Sequence, residues 1–168
     1  MQAKFGSTDS LWIIREPQAG FQEQLASREL ARGLRNLGLA HDPVQAVVGG
    51  GELPSSSLAF FISLDRQNLK HPEAYEISWE HREGKPPRIR LTGATPQAVL
   101  YAVFDFLEQQ GAFFGLDGEV YPLEPSHALR LRPPGLPYRA QPRFGVRGLV
   151  PWPDFLNCVT VYNREDWR

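Results

Sequence analysis

The sequence predicts an α/β fold, a two-layer α+β sandwich, and three observations carry that prediction. An apolar run, an amphipathic stretch and a second apolar run succeed one another between residues 11 and 48. Two alternating segments come next, between residues 75 and 91, and a capped, strongly apolar helix spans residues 95–111. Helical and strand periods thus interleave along one chain, which is the pattern of a sheet covered by helices.

Leu11-Trp12-Ile13-Ile14-Arg15-Glu16, stopped by Pro17, reads as a buried strand. Over residues 21–37 the period becomes helical: Ala26, Leu30, Gly33, Leu34 and Leu37 fall on one stripe, and Gly38 supplies a left-handed stop. Val44 to Val48 is the next buried strand, so the opening unit is β-α-β with parallel strands. Gly49-Gly50-Gly51 comes directly after it but runs into Glu52-Leu53-Pro54 and three serines. A phosphate cradle needs its glycines to lead into a helix N-terminus, so this is a surface loop.

Ser57 to Leu64 is a third strand. Tyr75, Ile77, Trp79 and His81 alternate with Glu76, Ser78 and Glu80, and Arg88-Ile89-Arg90-Leu91 alternates after a turn at Glu83-Gly84-Lys85. Acids on one strand and arginines on the other predict an antiparallel hairpin with a salt-bridged outer face. Carboxylates so placed stay ionised and make poor general acids, which sets aside Glu76 and Glu80 as a catalytic pair. Thr95 is the N-cap and Pro96 the first residue of the next helix. Val99, Val103, Phe106 and Leu107 form its stripe, while Leu100, Tyr101 and Phe104 broaden it, so this helix needs cover on more than one side. Asp105 and Glu108 read as solvated helix polarity. Gly111 ends the helix, and Ala112 to Leu116 and Glu119 to Leu123 read as short strands about Asp117-Gly118.

Composition narrows the functional classes. The chain has 168 residues, 42% hydrophobic, with 18 basic and 19 acidic side chains and a net charge of −1. That is enough for one real core and gives no bulk attraction to nucleic acid or anionic membrane. Cys158 is the single cysteine, which excludes a disulfide framework and a Cys-rich zinc site but leaves the compartment open. The longest candidate span, Val99 to Leu107, is interrupted by Asp105, and residues 1–10 lack a signal-peptide core; a soluble protein without a membrane segment is expected.

Seven of the 15 prolines lie between Pro125 and Pro153, and Ser126 to Pro153 holds no acid but includes Arg130, Arg132, Arg139, Arg143 and Arg147. This reads as a basic linker, residues 126–143, that wraps an acidic partner surface; the spacing lacks the aromatic platform of a nucleic-acid binder. It separates an α/β domain, residues 1–125, from Phe144 to Val150, which begins a further strand. Asn163 with Glu165 and Asp166 opens a helix that five residues cannot complete, so residues 144–168 are expected to be the truncated start of a second domain.

No catalytic constellation is evident. His41, His71, His81 and His127 are scattered without ligand spacing, and no G-x-S-x-G elbow occurs. No metal, cofactor or catalytic residue is expected in this chain, and a stand-alone small hydrolase is the weakest reading.

The run from Ile89-Arg90-Leu91-Thr92-Gly93-Ala94-Thr95-Pro96 through Leu100-Tyr101-Ala102-Val103-Phe104-Asp105-Phe106-Leu107-Glu108 to Gly111 resembles a specific accessory domain. It is similar to the small N-terminal α/β domain that precedes the catalytic barrel in glycoside hydrolases of the β-hexosaminidase and α-glucuronidase type. Asp117-Gly118-Glu119-Val120-Tyr121-Pro122 and Arg143-Phe144-Gly145-Val146-Arg147-Gly148 resemble the segments that come next in those enzymes. The resemblance implies a mixed sheet with two helices on one face, zincin-like without a metal centre. It also implies that residues 144–168 open a (β/α)₈ barrel whose catalytic carboxylates lie beyond Arg168. Arg147-Gly148 matches a pair whose arginine holds sugar hydroxyls, so Arg147, Trp152 and Asp154 are the candidate substrate-binding residues. The expected function is a non-catalytic domain supporting a barrel that hydrolyses O-glycosidic bonds. Its partners would be that barrel in the same chain and, through the parent enzyme, a carbohydrate. The alternative is an independent carbohydrate- or protein-binding module.

Overall fold

Leu58 to Leu64 reads Leu-Ala-Phe-Phe-Ile-Ser-Leu, a nearly unbroken apolar run that suits an interior strand flanked by parallel neighbours. In the computed structural model it lies inside a six-stranded mixed sheet. The structure describes residues 2–4, 10–39, 44–47, 57–80, 83, 87–115, 118–124, 128–133 and 135–145. In chain order these form β1 (Gln2–Lys4), β2 (Leu11–Arg15), α1 (Phe21–Asn36), β3 (Val44–Val47), β4 (Leu58–Leu64), β5 (Tyr75–Glu80) and β6 (Arg88–Gly93). After these come α2 (Pro96–Gln110), β7 (Phe113–Gly115), β8 (Gly118–Val120), β9 (Ala128–Arg130) and β10 (Tyr138–Ala140).

The main sheet has the order β10-β5-β6-β4-β2-β3. β2 is parallel to β3 and β4, and β4 to β6, as the β-α-β reading requires. β5 is antiparallel to β6, the expected hairpin, and β10 is antiparallel to β5. Two small antiparallel pairs, β1 with β9 and β7 with β8, stand apart from it.

Both helices cover one face. Ala26, Leu30 and Leu34 of α1 and Val99, Val103, Phe106 and Leu107 of α2 share a core with Ile13, Phe60, Ile62, Ile89 and Leu91 from the sheet. Phe60 and Phe106 meet edge-to-face with centroids 5.3 Å apart, worth about 0.5–1.5 kcal/mol beyond the area they bury. The expected two-layer arrangement is therefore the observed one.

Local chemistry sets the helix ends. The Gly20 N–H donates to Glu23 Oε2 at 3.0 Å, satisfying one free donor at the start of α1. Gly38 takes φ 72°, and the Leu39 N–H reaches Leu34 O at 2.9 Å, closing a Schellman-type end. At α2 the Thr95 hydroxyl accepts from the Ala98 N–H at 3.2 Å and donates to Pro72 O at 2.7 Å, which ties the cap to the loop before β5.

Within the stretch read as a linker, β9 and β10 are strands attached to this fold. The buried Gln110 side chain accepts from Arg130 N at 2.8 Å and donates to Arg130 O at 3.2 Å, fastening β9 to α2. Trp79 Nε1 donates to Arg132 O at 2.8 Å, and the Arg132 guanidinium lies 4.2 Å from the Tyr138 ring centroid. Gly49-Gly50-Gly51, His41, His81, His127 and residues 146–168, including Cys158, lie outside the described residues.

Gly93 joins β6 to α2 where no side chain fits. A Cβ there would stand 2.4 Å from Val99 N, 2.7 Å from Ala98 C and 2.9 Å from Thr95 O, all backbone atoms that cannot rotate aside. Gly93→Ala is expected to lower the unfolding free energy by about 1–3 kcal/mol in urea titration. Gly145→Ala, with no atom of the described residues within 4 Å of the new methyl, should stay within about 0.5 kcal/mol of wild type. Equal effects at the two positions would rule out the crowding argument.

Candidate functional site

The sheet has a second face, turned away from the helices, and strand register sets its chemistry. Cross-strand partners share a face, so Ser63 of β4, Thr92 of β6, Glu76 of β5 and Arg139 of β10 form one row across four strands. The next row runs Ala46, Ile14, Phe61, Arg90 and Ser78. The third runs Val44, Trp12, Ala59, Arg88 and Glu80. This face therefore grades from apolar at β3, β2 and β4 to charged at β6, β5 and β10.

At the charged end lies a cleft of about 280 Å³ lined by Ser63, Leu64, Asp65, Asn68, Leu69, Glu76, Arg90 and Thr92. Its floor is the hydroxyl pair of Ser63 and Thr92, 3.1 Å apart. Its wall is a turn built by Asp65: Oδ1 accepts the N–H groups of Gln67 at 3.1 Å and Asn68 at 3.0 Å, and Oδ2 accepts Asn68 Nδ2 at 2.7 Å. The Asn68 side chain, then its backbone N–H, hold the Asp65 carboxyl below the usual carboxylate range, and the Arg139 charge adds to this. Glu76 Oε2 accepts from Arg139 Nε at 2.6 Å, and Glu80 Oε1 accepts from Arg90 Nε and Nη2 at 3.2 and 2.9 Å. The salt-bridged hairpin face is thus present, with Glu76 paired to β10 instead of to β6. Sequence reasoning missed this cleft because its residues are adjacent only through register.

The other side of the molecule carries exposed apolar groups. Phe113 and Val120 oppose one another across the β7–β8 hairpin, 62% and 61% exposed, and Leu123 beyond them is fully exposed. Leu100, Tyr101 and Phe104 on α2 are only half buried. Phe104 packs edge-on against Phe114 at 4.9 Å, and Phe114 against Tyr121 at 6.4 Å. Glu119 receives hydrogen bonds from Arg32 of α1 and from Tyr121, at 3.0 Å for the tyrosine, and the Arg32 bonds hold its carboxyl below the usual range.

Asp105 is not the solvated polarity expected of it. Its Oδ2 accepts from the Tyr75 hydroxyl at 2.5 Å and its Oδ1 from Gln109 Nε2 at 3.1 Å, placing the carboxylate in the seam between α2 and β5. Burial, then this carboxylate, push the Tyr75 hydroxyl pKa upward. The residues expected to bind substrate, Arg147, Trp152 and Asp154, lie outside the described residues. Among the described residues no three His, Cys, Asp or Glu side chains gather to hold a metal ion, and no helix is long and apolar enough to cross a membrane.

No protein-family model matches the chain, and no curated protein matches it in sequence. Solved structures align with it. A GH115 4-O-methyl-α-glucuronidase with specificity for decorated arabinogalactans aligns with TM-score 0.56 and 9% identity, over 84% of this chain and 18% of that one. CpGH84D aligns with TM-score 0.47 and 12% identity over 71% of this chain and 20% of that one. A GH138 enzyme targeting pectin rhamnogalacturonan II aligns with TM-score 0.42 and 16% identity over 60% and 13%. The chain thus spans a fifth or less of each of these proteins. At 9% identity the likeness to the α-glucuronidase is one of fold, to a part of that enzyme.

Burial, then the Asp105 charge, raise the Glu108 carboxyl above its ordinary pKa. The folded state therefore holds this proton more tightly than the unfolded chain, and stability from this group falls as pH rises through the window above about 4.3. Glu108→Gln is expected to raise the melting temperature at pH 7 and to leave it unchanged well below pH 4. A difference independent of pH would exclude ionisation of Glu108 as its source.

Proposed function

We propose that this chain is a non-catalytic accessory domain of a carbohydrate-active glycoside hydrolase, packing against and supporting a barrel that cleaves O-glycosidic bonds. The carrying observation is the alignment of 84% of this chain with 18% of a GH115 α-glucuronidase. A unit of this size and fold occurs there as one part of a much longer enzyme.

The surface supports the reading. α2 is apolar around more than its core stripe, and Phe113, Val120 and Leu123 stand in solvent, the kind of surface that a neighbouring protein body covers. In this assignment residues 1–125 are the accessory domain and residues 126–143 the connection, fastened back onto the domain through β9 and β10. Residues 144–168 open the barrel, with Arg147, Trp152 and Asp154 on its sugar-binding side.

The 168-residue chain is expected to show no turnover of aryl glycosides, and reproducible hydrolysis would refute the non-catalytic assignment. In the longer enzyme, deleting residues 1–125 should lower the melting temperature or solubility more than it alters preference among sugars. Within this chain, the paired change Phe113→Ser and Val120→Ser should raise solubility while shifting stability by no more than about 0.5 kcal/mol per site. A loss of several kcal/mol would show that these side chains serve this domain's own core.

A further inference from the structure

The cleft at the charged end of the helix-free face is separate from the apolar surface on which the packing role rests. We propose that it binds a neutral polyhydroxylated molecule the size of one sugar residue, held by Ser63, Asn68, Glu76, Arg90 and Thr92. The argument is one of charge balance and hydrogen-bond valence.

Asp65 and Glu76 line the cleft with negative charge, and Arg90 with Arg139 at its edge oppose them; Glu80, which pairs with Arg90, faces Arg88 across the strands, so the charges of this region balance. An anion meets two carboxylates and a cation meets two guanidinium groups, so a net charge of either sign is disfavoured. Each group also keeps hydrogen-bonding capacity. Glu76 uses Oε2 on Arg139, and Oε1 accepts nothing among the described residues. Arg90 spends Nε and Nη2 on Glu80, and its Nη1 has no acceptor among the described residues. Ser63 and Thr92 share one hydrogen bond between two hydroxyls, each of which can donate once and accept twice. Asn68 gives one amide hydrogen to Asp65 and retains its carbonyl oxygen.

The cleft therefore offers both donors and acceptors, which suits a vicinal diol whose hydroxyls each donate and accept. Leu64 and Leu69 are the apolar residues of the lining. The volume of about 280 Å³ lies at the lower bound of ligand pockets, so the occupant is one small ring, not a long chain threaded through a groove. No aromatic residue among the described residues lines the cleft, and Phe61, one row away on the same face, is covered by Arg90 at 5.2 Å and Arg88 at 5.9 Å. Binding then rests on hydrogen bonds without ring stacking, and its dissociation constant belongs in the millimolar range.

The test is a two-dimensional NMR titration of the isotope-labelled 168-residue chain with methyl β-D-glucopyranoside and methyl β-D-galactopyranoside. Sodium sulfate and calcium chloride form separate arms. The expected result is a saturable shift of the Ser63, Asn68, Glu76 and Thr92 amides with at least one glycoside and no saturable shift with either salt. Thr92→Val keeps the β-branched shape while removing the hydroxyl, and it should weaken the glycoside about tenfold. Ser63→Ala provides a second variant should the first disturb the sheet, and unchanged amide spectra away from the cleft report that each is folded. Glycoside shifts that never saturate, that fall elsewhere, or that persist undiminished in both variants would overturn the proposal. Saturation by sulfate or calcium at these amides would overturn its neutral-ligand half. Because the readout is binding by this chain alone, failure leaves the packing assignment standing.

Discussion

The missing side chain at Gly33 lets two helices share one face of the sheet, and much of the structure depends on that close approach. A Cβ at this position would stand 2.5 Å from Leu107 Cδ1 and 2.6 Å from Cδ2. Leu107 of α2 therefore occupies the space where a side chain of α1 would otherwise lie, and is itself buried. Helices of ordinary surface pack with axes about 8–10 Å apart, and a glycine at the contact favours the short end of that range. With both helices seated against β2, β4 and β6, the dominant apolar burial falls on one side. The other face carries a mixture of small, aliphatic, aromatic and charged residues.

That asymmetry explains how the charged half of the second face is stabilised. Arg88 and Arg90 lay their guanidinium groups over Phe61, so long side chains cover apolar surface while keeping their charge near water. The ion pair Arg90–Glu80 and the arginine of Arg139–Glu76 are exposed, and pairs open to solvent contribute at most about 1 kcal/mol each. Their stronger effect is on geometry, because Arg139 draws β10 onto the exposed edge of β5. β10 is three residues long and flanked by Pro137 and Pro142. A short, proline-bounded edge strand offers little backbone to a further strand, which limits edge-to-edge association.

Legibility in the sequence tracks the range of the interactions involved. The β-α-β unit, the β5–β6 hairpin, the Thr95 cap with Pro96, and the stops at Gly38 and Gly111 are legible because each is encoded within a few residues by period, capping or φ preference. The strand character of 128–130 and 138–140 is not, since three-residue strands carry no period and prolines dominate the local signal. Nor is the bond from Tyr75 to Asp105, which joins residues 30 apart on a strand and a helix. The cleft is the least legible feature. Ser63, Thr92, Glu76 and Arg139 come from four strands, and a one-residue slip in any pairing would move its partners to the opposite face. The proposal of Arg147, Trp152 and Asp154 as substrate-binding residues rests on motif resemblance alone.

The layered arrangement also separates the two surfaces physically. The half-buried residues of α2 belong to the helix layer, while Ser63, Thr92 and Glu76 face away from it on the far side of the sheet. A partner laid over the helix layer would remove Leu100, Tyr101 and Phe104 from water without covering Glu76 or Arg90. The two surfaces also differ in what they can hold: one offers apolar area with little hydrogen-bonding demand, and the other offers unfilled hydrogen-bond valence with little apolar area. Apolar burial between protein bodies rewards extent, whereas recognition of a small polar molecule rewards the placement of a few donors and acceptors. A domain that keeps these demands on opposite layers can be covered on one layer and still present an accessible polar cleft on the other.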